Sequence, residues 1–390
     1  MAVIGAGPAG LSAARSAARK GLKVIVLEKK REVGFPLKCA GFLPSPTEMK
    51  KLLPEAERFL GLLDFGSDVR VHQCRVVEAV FPSGRKLSAR FDGQAVDRRA
   101  LERSLAQETA EAGATLSLNS RVWRIEGRTI STVVEGEERK FEAKVVVGAD
   151  GAHSIVAAQY GERHRPEQLA FCYAHEYCNA DIDPDCVQMF FGRDFAPGGF
   201  AWLIPHGLDL MNLGIGIRDR YRRAGDSLNS LRQRFLSLPQ VAVSVRRAQP
   251  LARIAAHVPI AGPRKRTAFK DALLVGDAAG QVLPHVGSGV ATSIIAGEIA
   301  GSAIYEYLTN RSPLTSYEAD WRQVMGGVLE SSLKIRAVLE RFVERNWLLN
   351  LVPDLIGEEA FLQLLMAHAP QGIHQLFSSI LSNRSKGSPS

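Results

Sequence analysis

Met1-Ala2-Val3-Ile4-Gly5-Ala6-Gly7-Pro8-Ala9-Gly10, followed at residues 22–28 by Leu-Lys-Val-Ile-Val-Leu-Glu, is the stretch whose reading decides the fold. A short apolar run ends in GxGxxG, an alanine-rich helical segment follows, and a second apolar run ends on Glu28. The three glycines serve different ends. Gly5 permits a tight turn, Gly7 lets a pyrophosphate approach the helix N-terminus, and Gly10 lets helix and strand pack. Glu28 can accept both hydroxyls of a ribose. The chain therefore opens as an α/β protein with a Rossmann-type dinucleotide unit. Only four residues precede Gly5, so a start further upstream is an expectation of the sequence.

A second glycine motif narrows the dinucleotide. Ala272 to Val275 is an apolar strand that runs into Gly276-Asp277-Ala278-Ala279-Gly280, then Pro284, then Gly287-Ser288-Gly289-Val290 at the head of an alanine-rich helix. This arrangement resembles the second FAD motif of the glutathione-reductase type flavoproteins. The resemblance implies that Asp277 bonds the ribityl chain, and that Gly287, Gly289 and Val290 bring a helix N-terminus to the flavin pyrimidine, where its dipole favours the reduced anion. Val145 to Ser154, with Asp150-Gly151, resembles the Asp-Gly motif of the aromatic hydroxylases. Those enzymes carry an arginine a few residues on, where this chain has Ala157, a departure that speaks against a hydroxylase-type NAD(P)H site. Asp97-Arg98-Arg99-Ala100-Leu101 opens a helix with Asp97 as its cap. The same resemblance places Arg98 near the flavin and implies contacts from Lys29, Ala40 and Val122.

The FAD-binding pieces fall at 1–65, 97–160 and 250–310, so a mixed β-sheet substrate domain is expected from 66–96 and 161–249. Its strands read as Val69 to Val80, Lys86 to Phe91, Leu169 to Tyr177, Val187 to Phe191, Phe200 to Pro205 and Leu210 to Ile217. Leu228 to Leu238 predicts an amphipathic helix capped near Asp226 and stopped by Pro239. Residues 311–381 form a helical region in which Leu329, Ile335, Leu339, Phe342 and Val343 recur at helical spacing beside Lys334, Arg336, Arg341 and Arg345. That pattern is a packed surface helix with a basic face, or a membrane-surface contact. The polar tail 382–390 is expected to be disordered.

Phe200-Ala201-Trp202-Leu203-Ile204-Pro205 alternates, which puts Phe200, Trp202 and Ile204 on one face of a strand. A four-residue loop at 206–209 would set that face beside Met211, Leu213 and Ile215, with Ala201, Gly214 and Gly216 on the other. Helix packing explains such a face as readily as a ligand does. The pattern Phe-x-Trp-x-Ile-Pro followed by Gly214-x-Gly216 resembles the signature of the geranylgeranyl reductase family, and the order of all motifs over about 310 residues matches it. This implies the architecture of the hydroxylase-like flavoproteins, bound FAD, and reduction of double bonds in isoprenoid chains of archaeal-type lipids. Phe200, Trp202, Ile204, Gly214 and Gly216 would then line an apolar cavity ending at the flavin. Pro36-Leu37-Lys38-Cys39-Ala40-Gly41 resembles the family's Pro, basic residue, Cys and Gly segment. It implies Cys39 beside the flavin as proton donor or redox helper, with a packing thiol the alternative and His285 the second candidate. Archaeal lipid reductases carry a glutamate where this chain has Gly41, a departure that bears on the substrate.

Composition bounds the remainder. The 390 residues carry a formal charge of +8, which suits an anionic membrane surface or a phosphorylated substrate, and no motif points to nucleic acid. Val290 to Ile304 is the most apolar run, but it is interrupted by Glu298 and falls short of the roughly 18 residues a span requires. With no signal peptide read, the expectation is a cytoplasmic protein, peripheral at a membrane if bound there at all. Five cysteines without a CxxC predict neither a metal site nor a disulfide framework. The electron donor, NAD(P)H or ferredoxin, stays open. So do a flavin-dependent halogenase, whose related Trp-x-Trp-x-Ile-Pro strand differs at Phe200, an aromatic hydroxylase, and a non-enzymatic lipid-binding flavoprotein.

Overall fold

A computed structural model describes residues 1–368. Five short strands form a parallel sheet in the order Ala272–Leu274, Val146–Gly148, Ala2–Ile4, Ile25–Leu27 and Thr115–Ser117. The strands are almost wholly apolar because a parallel sheet is covered on both faces. Helix Pro8–Arg19, with Pro8 in its first turn, packs against helix Val290–Thr309. Gly297 and Gly301 make that approach possible. A Cβ at 297 would stand 2.3 Å from the Ala9 carbonyl oxygen, and one at 301 would stand 2.5 Å from Ser16 Cβ. Val290 to Ile304 is therefore apolar because it is buried in the protein, and Glu298 within it accepts from the Ser16 hydroxyl at 2.8 Å. Among the described residues no helix is long and apolar enough to cross a membrane.

The second sheet has eight strands, in the order Gln249–Pro259, Leu169–Cys178, Met211–Ile217, Ala201–Pro205, Cys186–Phe190, Arg70–Val80, Lys86–Val96 and Phe42–Pro44. Only Cys186–Phe190 with Arg70–Val80 is a parallel pair, so the sheet is mixed. Two segments expected to fall to the FAD-binding part, one of them but for its first residue, contribute to it. Phe42–Pro44 pairs with the Lys86 strand, and Gln249–Pro259 pairs along its length with Leu169–Cys178. The reason is the ladder itself, since a strand of this length must pair its backbone groups with a neighbour. A three-stranded sheet at 120–142 completes the first part.

Asp97 caps helix Arg98–Glu111 as expected, accepting from the amides of Arg99 and Ala100 at 2.8 and 3.1 Å. The expected helix 228–238 begins where expected and ends two residues earlier. It spans Leu228–Leu236 and is capped by Ser227, because the Asp226 carboxylate is taken by Arg234 at 2.7 Å. Pro239 does not stop it but opens a second helix, Pro239–Val245, where a missing N–H costs nothing. From Ser316 to Leu365 the chain is a series of helices separated by turns, of which Gly327–Leu339 is the longest. The remainder of the expected helical region 311–381 and the tail 382–390 lie outside the described residues.

Candidate active site

The first glycine loop divides its labour as the fingerprint requires. Gly5 has φ of +104°, and a Cβ there would meet the Ala149 carbonyl oxygen at 2.5 Å, while one at Gly10 would meet the Gly5 carbonyl oxygen at 2.0 Å. Around Gly7 nothing lies within 4 Å, so the only glycine of the three not demanded by the fold faces open space at the head of helix Pro8–Arg19. Glu28 is buried and uses one oxygen to accept from Ala6 N at 2.7 Å and the other from Lys30 N at 2.9 Å. A carboxylate offers about four lone-pair sites, which leaves capacity for two ribose hydroxyls. Arg98 is buried with Nη2 on Glu102 at 2.6 Å, while its Nε and Nη1 have no partner among the described residues. Unpaired buried guanidinium donors are costly and fit a phosphate oxygen. The residues present thus fit a flavin dinucleotide.

The second motif closes over the same space. Gly287, with φ of +72°, and Gly289 lead into helix Val290–Thr309, and a Cβ at 289 would press on Val282 at 2.9 Å. Burial pushes the Asp277 carboxyl up to about 6, against the pull of Lys38 and Arg98. Burial works against the charge of Arg98, but Cys39, Glu102 and Asp277 outweigh it and raise its pKa above the ordinary value. Lys29, Cys39, Ala40, Val122 and Val290 line one cavity with these groups. Lys38 lines it too, with its pKa lowered by burial and then by Lys30 and Lys29. Its place beside Cys39 in the motif was the signal available for it.

Cys39 Sγ accepts from Gly41 N at 3.4 Å. Gly41 has φ of +75°, and a Cβ there would meet the Val96 carbonyl oxygen at 2.5 Å, so the loop as folded has no room for a glutamate at this position. His206 Nε2 donates to the Ala40 carbonyl at 2.8 Å and ties the loop to the aromatic hairpin. His285 lines the cavity as well, with Nδ1 on Ser332 Oγ at 2.7 Å and its pKa brought down by burial to about 4. A neutral imidazole of that kind is a poor source of protons near neutrality. Asp150 accepts from the amides of Ile155 and Val156 at the head of helix Ile155–Gln159, which Ser154 caps. Ala157 is fully buried in the core beneath it.

The aromatic hairpin corrects the expected register. Pro205 pairs with Met211, so five residues, 206–210, form the loop, and Trp202 lies opposite Gly214. A shift of one residue moves every side chain to the other face. Trp202 shares its face with Asn212, Gly214 and Gly216, while Met211, Leu213 and Ile215 join Ala201 and Leu203 on the far face, packed on Leu231 and Phe235 of the helix behind. Glycine decides the matter. A Cβ at 214 would stand 2.5 Å from Trp202 Cζ2, so the indole can lie flat on the sheet only over glycine. Its Nε1 donates to the buried Asn212 Oδ1 at 2.9 Å. Phe200, Trp202, Ile204 and Gly216 line the cavity; Gly214 does not, being covered by the indole.

The cavity is continuous, about 740 Å³, and is lined from Gly5 and Glu28 through Cys39 and Trp202 to the apolar side chains of Phe81, Phe191, Phe342 and Phe361. A profile described as the geranylgeranyl reductase catalytic domain matches residues 168–255, which hold this hairpin, and a pyridine nucleotide-disulphide oxidoreductase profile matches 1–181. Digeranylgeranylglycerophospholipid reductase of Methanocaldococcus jannaschii is 31% identical over 370 residues, covering 91% of this chain and 90% of that one. The chain belongs to the geranylgeranyl reductase family. A second relative, digeranylgeranylglycerophospholipid reductase 2 of Methanopyrus kandleri, is 32% identical and covers 93% of this chain and 91% of its own. Among solved structures, a geranylgeranyl bacteriochlorophyll reductase-like protein of Thermoplasma acidophilum superposes with a TM-score of 0.81 at 22% identity, over 97% and 98% of the two chains. The halogenase PltM superposes at 0.72 with 14% identity, over all of this chain and 92% of its own. This geranylgeranyl reductase family member therefore shares its fold with flavin halogenases, and its sequence kinship is with the lipid reductases.

Proposed function

We propose that this geranylgeranyl reductase family member binds FAD and saturates double bonds of geranylgeranyl chains in an archaeal-type isoprenoid lipid. The observation that carries the reading is one cavity that joins a dinucleotide cradle to an apolar chamber floored by Trp202 on Gly214. Bound and reduced, FAD supplies a hydride to one alkene carbon. The protein's share is to exclude water, align the chain and deliver a proton to the neighbouring carbon. Phe200, Trp202 and Ile204 align it, since their stiff apolar surfaces hold a chain that offers no hydrogen bonds. The proposed donor is the Cys39 Sγ proton, renewed from water after each turnover. The excess of basic residues suits collection of the lipid from an anionic surface, where binding to vesicles would weaken with salt.

The test is anaerobic incubation of the dithionite-reduced holoprotein with a geranylgeranyl lipid, read by mass spectrometry. Gain of two hydrogens per double bond is expected. No such gain, together with oxygen- and chloride-dependent products on an aromatic substrate, would give the case to a halogenase.

A further inference from the structure

The eight-stranded sheet has a second face, turned away from the Trp202 cavity, and one part of it carries cations without acids. On strand Leu169–Cys178, Ala174 lies beside Gly214 on the indole's face, so Tyr173, His175 and Tyr177 project from the opposite one. Their rings form a row, with centroids 5.1 Å apart from Tyr173 to His175 and 5.9 Å from His175 to Tyr177. On one side His175 pairs across the ladder with Arg253 of the edge strand Gln249–Pro259. On the other, helix Leu228–Leu236 brings Arg232 to the Tyr177 hydroxyl, to which its Nη2 donates. A row of rings is thus flanked by two guanidiniums, and none of these five residues lines the cavity.

His175 is 7% exposed, and its Nδ1 is buried without a hydrogen-bond partner among the described residues, as is the Nε of Arg232. Among those residues neither Arg232 nor Arg253 has a carboxylate within ion-pair reach. Buried arginines elsewhere in the chain are met by acids, Arg15 by Glu108 and Arg98 by Glu102. Burial, then Arg232 and then Arg253, bring the His175 pKa down to about 4, which leaves a neutral imidazole beside two cations. Buried donors without an acceptor are costly, and guanidinium forks together with tyrosine hydroxyls suit the oxygens of a tetrahedral oxyanion. We propose that Arg232, Arg253 and His175, with the hydroxyls of Tyr173 and Tyr177, form a phosphate-binding site on the outer face of the sheet, separate from both the flavin cradle and the isoprenoid cavity. The anion supplies the missing negative charge and accepts from His175 Nδ1 and Arg232 Nε. Held between the edge strand and helix Leu228–Leu236, it ties the two together. A free phosphate ester and the phosphate of a bilayer lipid share this chemistry.

The experiment titrates the full chain, in phosphate-free chloride buffer, with inorganic phosphate. Calorimetry reads the binding, and NMR of the histidine rings reads its place, with the His175 signals assigned from His175→Gln. The wild type is expected to bind phosphate saturably with movement of the His175 signals, and Arg253→Gln to weaken binding roughly tenfold or more. Arg253→Lys should restore part of it, since charge returns without the fork. Arg253 is exposed and outside the flavin cradle, so its variants should fold and keep their flavin. Cosedimentation with phosphatidylglycerol vesicles, for wild type and Arg253→Gln, distinguishes the source. Arg253-dependent binding of inorganic phosphate makes the occupant a free phosphate ester; Arg253-dependent binding to vesicles, with no response to inorganic phosphate, makes it a lipid. Either outcome supports the site. Binding of neither probe would overturn the proposal. So would phosphate binding that is equal in wild type and Arg253→Gln and leaves the His175 signals in place, or a response that chloride at equal ionic strength reproduces. No turnover is measured, so none of these outcomes touches the reductase reading.

Discussion

Replacing Gly214 by alanine sets a methyl group against the indole on which the substrate chamber rests. The new Cβ would stand 2.5 Å from both Trp202 Cζ2 and Ala174 Cβ, where ordinary contact begins at 3.4 Å. The indole must retreat by about 1 Å in a close-packed wall, and the open side is the cavity. Overpacking of this size costs about 1–3 kcal/mol, and for a chain of 390 residues a fall in Tm of roughly 1–4 °C follows. The Trp202 bond to Asn212, now 2.9 Å, lengthens, and the chamber narrows where the chain must lie. Turnover of a geranylgeranyl lipid should drop at least tenfold while flavin content holds, because the glycine loops that would hold FAD lie on other strands. The assays are flavin absorbance per chain, thermal melting, and mass spectrometry of lipid after anaerobic reduction. A variant with wild-type turnover and melting would refute both the register and the role given to the indole.

The two glycines of the first loop should separate binding from folding: Gly7→Ala leaves apoprotein melting nearly unchanged and weakens FAD retention at least tenfold. Gly10→Ala, whose Cβ would sit 2.0 Å from the Gly5 carbonyl oxygen, should fail to accumulate folded protein, as read by expression and circular dichroism. Cys39→Ala should lower kcat more than it raises KM if Sγ supplies the proton, with a smaller solvent isotope effect; equal kinetics would reduce the thiol to packing. Burial lowers His164, His175 and His285 to about 4, below their ordinary 6.5, so each is neutral when folded and charges on unfolding. Their contribution is present above 6.5 and lost as pH falls toward 4, whereas Asp277, raised to about 6, favours the folded state below 3.8 and ceases to as pH rises through 6. Burial lowers His153 and His206 as well and raises Asp150 and Glu176 alongside Asp277, so five imidazoles oppose three carboxyls; the apoprotein should be less stable to denaturant at pH 5 than at pH 7, and replacing His164, His175 and His285 by glutamine should reduce that slope.

Much of the dinucleotide end is legible in the chain because its constraints are local. Gly5, Gly7, Gly10 and Glu28 follow from backbone geometry within one strand–helix–strand unit, and the Asp97 cap from a side chain that reaches two and three residues ahead. Cys39 could be placed near Asp277 only through resemblance, since more than two hundred residues separate them. The cap expected near Asp226 is its neighbour Ser227, and the Asp226 carboxylate itself pairs with Arg234, a choice the sequence alone left open.

By itself the sequence determined the α/β class, the two glycine motifs and the alternation of the aromatic strand, all of which are written in residues a few positions apart. Tertiary structure alone decided which face the alternation presents. Period two makes both faces equally regular, and a hairpin loop of five residues instead of four exchanges them. It likewise gave strand Gln249–Pro259 to the larger sheet, where its ladder partner lies. Arg218 and Arg220 meet Arg336 and Glu340 across more than a hundred residues of chain, and nothing local in either segment records the other. Such a meeting depends on how a helix settles against the end of a sheet, which packing of the whole core sets.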